Sequence, residues 1–264
     1  MERLKEGFVE TANPYNASQI KHIPLVPVKE GMKPGEGVDA FVFWTRDPKY
    51  ILANADELKE RGFPFYVMVS VTGYPGLLEP NQAPVPEVLN SMKELAQKIG
   101  SDSVIWRYDP VILTSITNNE YHGRNFTNLA QNLSGSVKQV IISLFDNEYQ
   151  RAMKRLFMLE KEGKLIMHDN DINNGSFHKV LLELAESTKN ADMEIQSCAE
   201  KMDFQSIGIR IKPGACIDAA LIEKICGVKP ARDKNQRPNC LCCKSVDIGT
   251  YGTCEAHCVY CYAS

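Results

Sequence analysis

All nine cysteines of the chain lie at or beyond Cys198, and the last three are spaced Cys254-x3-Cys258-x2-Cys261 with Tyr260 directly before the third. Cysteines gathered in this way, in a chain without secretory features, point to metal binding or catalysis rather than to a disulfide framework. Three thiolates on one short loop can hold three irons of a four-iron cluster. Complete ligation takes four, so one iron stays open to an outside ligand and is therefore reactive. The competing reading is a structural zinc site completed by His257 or an upstream cysteine. Zinc sites use paired Cys-x2–4-Cys knuckles and close all four positions, which this triple matches poorly. A second site is also in view. Cys198 and Cys216 each follow a predicted strand, and Cys240, Cys242 and Cys243 sit in a Pro-rich, charged connection. Four thiolates drawn from these separate loops could close around a second cluster or a zinc ion. Cys226, on the apolar face of a predicted helix, reads as a buried thiol.

The elements that must position these groups follow from hydrophobic periodicity. Strands are predicted at Val38–Trp44, Phe65–Val71, Val104–Tyr108, Val140–Phe145, Glu194–Ser197 and Ile207–Ile211. Helices are predicted at Lys49–Arg61, Val85–Ile99, Phe126–Leu133, Glu148–Glu162, Gly175–Lys189 and Ala219–Cys226. This alternation implies a parallel sheet, either doubly wound or a (β/α) barrel. Polar residues recur just where strands end: Thr45, Arg46 and Asp47; Thr72 and Tyr74; Arg107 and Asp109; Asp146; Cys198 and Glu200. In a barrel such residues converge on one mouth, which favours a (β/α) barrel or partial barrel. Trp44, Arg46, Trp106, Arg107 and Asp109 are the candidate cofactor or substrate contacts, as aromatic and charged groups at successive strand ends; for both tryptophans core packing is the competing reading. The proline-rich stretch 75–86 is either a loop over that mouth or a plain connection. Residues 1–190 read as the main body of one domain, and 191–264 as its cysteine-rich end.

With 264 residues, 44% hydrophobic and 24% charged, the chain can build one large α/β domain. It has no membrane-span-like apolar run and no signal-like N-terminus, so a cytoplasmic protein is expected. A net charge of -3 gives no general electrostatic drive toward nucleic acid, although a local basic channel would still permit it.

Cys254, Cys258, Tyr260 and Cys261 resemble the Cys-x3-Cys-x-aromatic-Cys signature of radical S-adenosylmethionine enzymes. That resemblance implies a 4Fe-4S cluster whose open iron binds S-adenosylmethionine, an electron from a reductant such as ferredoxin or flavodoxin, and cleavage to a 5'-deoxyadenosyl radical acting on an unknown substrate. It would place Tyr260 against the adenine. The stretches around Trp44-Thr-Arg-Asp-Pro, Trp106-Arg-Tyr-Asp-Pro and Asp247 to Ala263 resemble the uncharacterised family called domain of unknown function 1848, over most of the length. This second resemblance singles out Cys198, Cys216, Cys240 and Cys242 as the ligands of the further metal site. The cysteine loop is also similar to that of spore photoproduct lyase and related DNA-repair proteins. Radical enzymes carry the loop after the first barrel strand, so here the order reads as circularly permuted. Lys244–Ile248 is then expected to be the strand feeding the loop and closing the sheet beside Val38–Trp44 or a strand missing from the N-terminus, in a chain that opens inside what resembles a helix of the family and stops soon after the motif. The rival functions are an iron-sulfur electron-transfer or scaffold protein and a zinc-stapled barrel that hydrolyses or binds a partner.

Overall fold

The computed structural model describes residues 8–13, 16–29, 32, 36–171, 175–237, 239–249 and 254–262. An antiparallel hairpin of β1 (Phe8–Asn13) and β2 (Asn16–Pro24) comes first. The expectation of a helix where the chain opens falls on residues 1–7, which lie outside the described residues; from Phe8 the chain is strand.

The body is one sheet of six strands: β3 (Phe41–Thr45), β4 (Phe65–Ser70), β5 (Val104–Val111), β6 (Gln139–Leu144), β7 (Glu194–Cys198) and β8 (Lys212–Gly214). All pairs are parallel, and the strands lie side by side in chain order. A doubly wound sheet reverses its order part-way. Without a reversal, right-handed crossovers put the connecting helices on one face, as in a barrel. The sheet does not close, so this is a partial (β/α) barrel with β3 and β8 as its edges.

Helices α1 (Lys49–Glu60), α2 (Val85–Ile99), α3 (Asn119–Leu133) and α5 (His178–Asn190) cover that outer face. Alternation along each strand sends Val67, Val69, Trp106, Tyr108, Val140 and Ile142 toward Leu58, Met92, Leu95, Phe126 and Leu184. Fully burying each such side chain contributes about 1.5–3 kcal/mol. The opposite parity, Val42, Tyr66, Met68, Ile105 and Ile141, faces α6 (Ala219–Cys226) and the cysteine-rich segment around Cys216 and Cys240–Cys243. The remaining helix, α4 (Gln150–Lys161), packs Ala152 and Leu156 over the carboxyl-end loops.

Three expectations are corrected. Lys244–Ile248 forms no strand: it is mostly exposed, only Ile248 among its residues packs against the core, and the Lys244 N–H donates to the Ala231 carbonyl at 2.8 Å instead of to a strand. Ile207–Ile211 is also not a strand: a 3-10 turn at Gln205–Ile207 ends on Gly208 at φ 80°, and the pairing strand begins only at Lys212. Helix α3 starts well before Phe126, because Asn118 caps it by accepting a bond from the Tyr121 N–H at 2.9 Å.

Candidate functional site

The Cys254–Tyr262 segment docks at the carboxyl end of the sheet. Its backbone is tied to the β4–α2 connection, where the Val259 N–H donates to the Leu78 carbonyl at 2.9 Å and Asn81 Nδ2 donates to the Glu255 carbonyl at 2.9 Å. From α4, Arg155 Nε donates to the Val259 carbonyl at 2.7 Å, and another Arg155 N–H reaches the Cys261 carbonyl. A turn closes between Cys258 and Cys261, with the Cys261 N–H on the Cys258 carbonyl at 3.1 Å. The proline-rich stretch therefore supports the cysteine loop. Of the three thiols, Cys254 is exposed, Cys258 buried and Cys261 in between.

Tyr260 anchors the loop in a buried polar knot. Its hydroxyl donates to Glu79 and accepts from Arg46 Nη2 at 2.5 Å. Glu79, 3% exposed, also accepts from Arg46 Nη1 at 2.9 Å, from the Thr72 hydroxyl and from the Tyr74 N–H at 3.2 Å. The Tyr74 ring meets Tyr260 edge-on at 5.7 Å, and the Arg46 guanidinium lies 5.9 Å from the Tyr260 ring centre. The aromatic that the motif would place against adenine is thus turned into the protein here. Burial works against the charge of Arg46, but Tyr260, Glu79 and Cys258 outweigh it and hold the guanidinium protonated. Burial pushes the Cys258 thiol up, while Arg46 pulls it down, toward the thiolate a metal needs.

A second cluster of polar groups lies on the sheet face opposite α1, α2, α3 and α5. Arg107 pairs with Asp109, which also accepts from the Ser143 hydroxyl. Arg107 Nη1 stands 2.9 Å from Cys216 Sγ, which is 3.0 Å from Cys198 Sγ. Beside them, burial raises the Glu200 carboxyl to about 7. Among the described residues, no three His, Cys, Asp or Glu side chains stand ready around a metal position.

The other candidates separate cleanly. Trp106 is fully buried on the helix side of the sheet, stacked on Phe126 at 4.6 Å with its Nε1–H donated to the Val71 carbonyl at 2.9 Å. It is core, because strand parity points it away from the face that carries Arg107. Trp44 has the opposite parity and is half-exposed on the edge strand. Thr45, Asp47 and Asp146 make local turn and helix-start bonds. Glu79 and Arg155 were not singled out in the sequence. A carboxylate in a proline-rich turn just past a strand end, with Arg46 past the neighbouring one, was a usable signal for Glu79. Arg155 looked like any cation on an amphipathic helix.

No helix among the described residues is long and apolar enough to cross a membrane. No curated protein matches the chain. A match over residues 1–263, nearly the full length, places the chain in the family described as a domain of unknown function (DUF1848).

Proposed function

We propose that this is an iron-sulfur protein of the radical S-adenosylmethionine type, with Cys254, Cys258 and Cys261 as the cluster ligands. The observation that carries the reading is the seating of one loop bearing three thiols on the carboxyl ends of a partial (β/α) barrel, where such folds put their chemistry. The donor set fits the group, since the loop offers three thiolates and leaves one iron without a protein ligand. When bound, the cluster supplies the electron that cleaves S-adenosylmethionine to a 5'-deoxyadenosyl radical.

The chain's own residues do the rest. Arg155, Leu78 and Asn81 fix the loop backbone, and Arg46 offsets negative charge on Cys258. With Tyr260 committed to the Arg46–Glu79 knot, half-exposed Trp44 is an aromatic available for stacking on a bound cofactor or substrate. An external reductant of the ferredoxin or flavodoxin kind completes the system. The test is anaerobic reconstitution with iron and sulfide. Cys254→Ala abolishes production of 5'-deoxyadenosine while the native chain makes it, and a variant that keeps this activity removes the loop from the reading.

A further inference from the structure

Four of the remaining thiols share one packed cluster away from the Cys254 loop. Cys198 ends β7 and Cys216 lies just past β8, with their sulfurs 3.0 Å apart. Cys240 and Cys242, from a third segment, are buried in the same cluster as Cys216, and Cys198 packs against it. The backbone around them is held in place. The Ile217 N–H donates to Cys242 Sγ at 3.4 Å, and the Cys243 N–H donates to the Ile217 carbonyl at 3.0 Å. The buried Tyr66 hydroxyl donates to the Cys216 carbonyl at 2.6 Å and accepts from the Asp218 N–H at 3.1 Å. Cations flank the sulfurs, Arg107 at 2.9 Å from Cys216 and Arg237 near Cys198 and Cys240.

We propose that Cys198, Cys216, Cys240 and Cys242 form a second, closed site for one zinc ion. Tetrahedral zinc with bonds of about 2.3 Å holds its thiolates roughly 3.8 Å apart. An iron-sulfur cube would separate them further, because the cluster lies between its ligands. The observed 3.0 Å contact between Cys198 and Cys216 is nearer the mononuclear spacing; that pair needs to part by less than about 1 Å, and the Cys240 and Cys242 sulfurs would close in beside it to complete the tetrahedron. They are also well outside the roughly 2.05 Å of a disulfide. Four thiolates around a divalent ion carry two net negative charges, and the two arginines stand where they offset them. The ion would tie the β7 and β8 ends to the 240–243 segment. The inference holds whether or not the Cys254 loop carries a cluster.

The test uses the full chain with Cys254, Cys258 and Cys261 all changed to Ala, purified without added metal and dialysed against chelator. About one zinc per chain is expected to remain. Adding Cys216→Ser or Cys242→Ser lowers retained zinc at least about tenfold. Should those variants misfold, cobalt(II) exchanged into the triple variant decides, showing the sulfur-to-cobalt charge-transfer bands and strong d–d absorption of a tetrahedral four-thiolate ion. Loss of zinc in the triple variant, iron with sulfide in its place, or a Cys198–Cys216 disulfide in anaerobically prepared protein would each overturn the proposal. Failure of the cluster reading leaves the zinc count unchanged, so the two are separable.

Discussion

Changing Glu79 to Ala removes the hub that holds Tyr260, and with it the cysteine loop, onto the sheet. Glu79 accepts from both terminal nitrogens of Arg46, at 2.9 and 2.8 Å, from the hydroxyls of Thr72 and Tyr260, and from the Tyr74 N–H at 3.2 Å. Breaking a buried ion pair from one side costs about 3–5 kcal/mol, because the partner charge stays behind. Arg46 keeps Gln82 Oε1 at 2.8 Å and the Tyr260 hydroxyl at 2.5 Å, which places the cost near the lower figure, about 3 kcal/mol. At about 1.4 kcal/mol per decade, that is a roughly hundredfold loss in folding equilibrium. Urea denaturation of native and variant chains reads the stability, and hydrogen exchange at the Val259 and Cys261 amides reads the loop. Glu79→Gln, which keeps the shape but not the charge, should fall between the two. A Glu79→Ala loss below about 1 kcal/mol with unchanged exchange at those amides would refute the anchoring role.

Three further outcomes follow from the same geometry. Trp106→Ala is expected to cost about 3–5 kcal/mol in urea denaturation, as a fully buried aromatic of the helix-side core, and a near-neutral result would contradict that placement. His122 is buried, its Nε2–H on the Ile112 carbonyl at 3.0 Å and its Nδ1 accepting from Tyr108, and burial pushes it down to about 4 from 6.5. The unfolded chain therefore takes up a proton that the folded one refuses. Stability is full above pH 6.5 and falls toward pH 4, by up to about 3 kcal/mol, and thermal melts of His122→Gln should lose that slope. The Cys254→Ala variant, finally, should bind less iron than the native chain on reconstitution while retaining its fold by circular dichroism, since Cys254 is exposed.

Much of the architecture was legible because strand and helix periods were clean. Helix Val85–Ile99 and helix Ala219–Cys226 match the expected bounds, and the strand from Phe65 starts where alternation places it. The misses share a physical origin. Ile209 and Ile211 are buried as a loop, so their hydrophobicity reported burial and not strand. The β1–β2 hairpin pairs only with itself, and nothing in its short apolar content announced it. At the site, local spacing exposed the Cys254 loop. The Arg46–Glu79–Tyr260 knot joins residues up to 214 positions apart, a juxtaposition that only the fold creates. Trp106 and Arg107 show the limit of a strand-end argument. They are neighbours in sequence, yet one is core and the other sits against Cys216, because successive strand residues point to opposite faces.

The central claim is an iron left open by a three-cysteine loop. Electron paramagnetic resonance of the anaerobically reconstituted, reduced chain, recorded with and without S-adenosylmethionine, tests it directly. The account predicts a four-iron signal that shifts when the cofactor is added and is lost in Cys258→Ala. A four-iron signal indifferent to S-adenosylmethionine, or no cluster at all on the Cys254 loop, would contradict it.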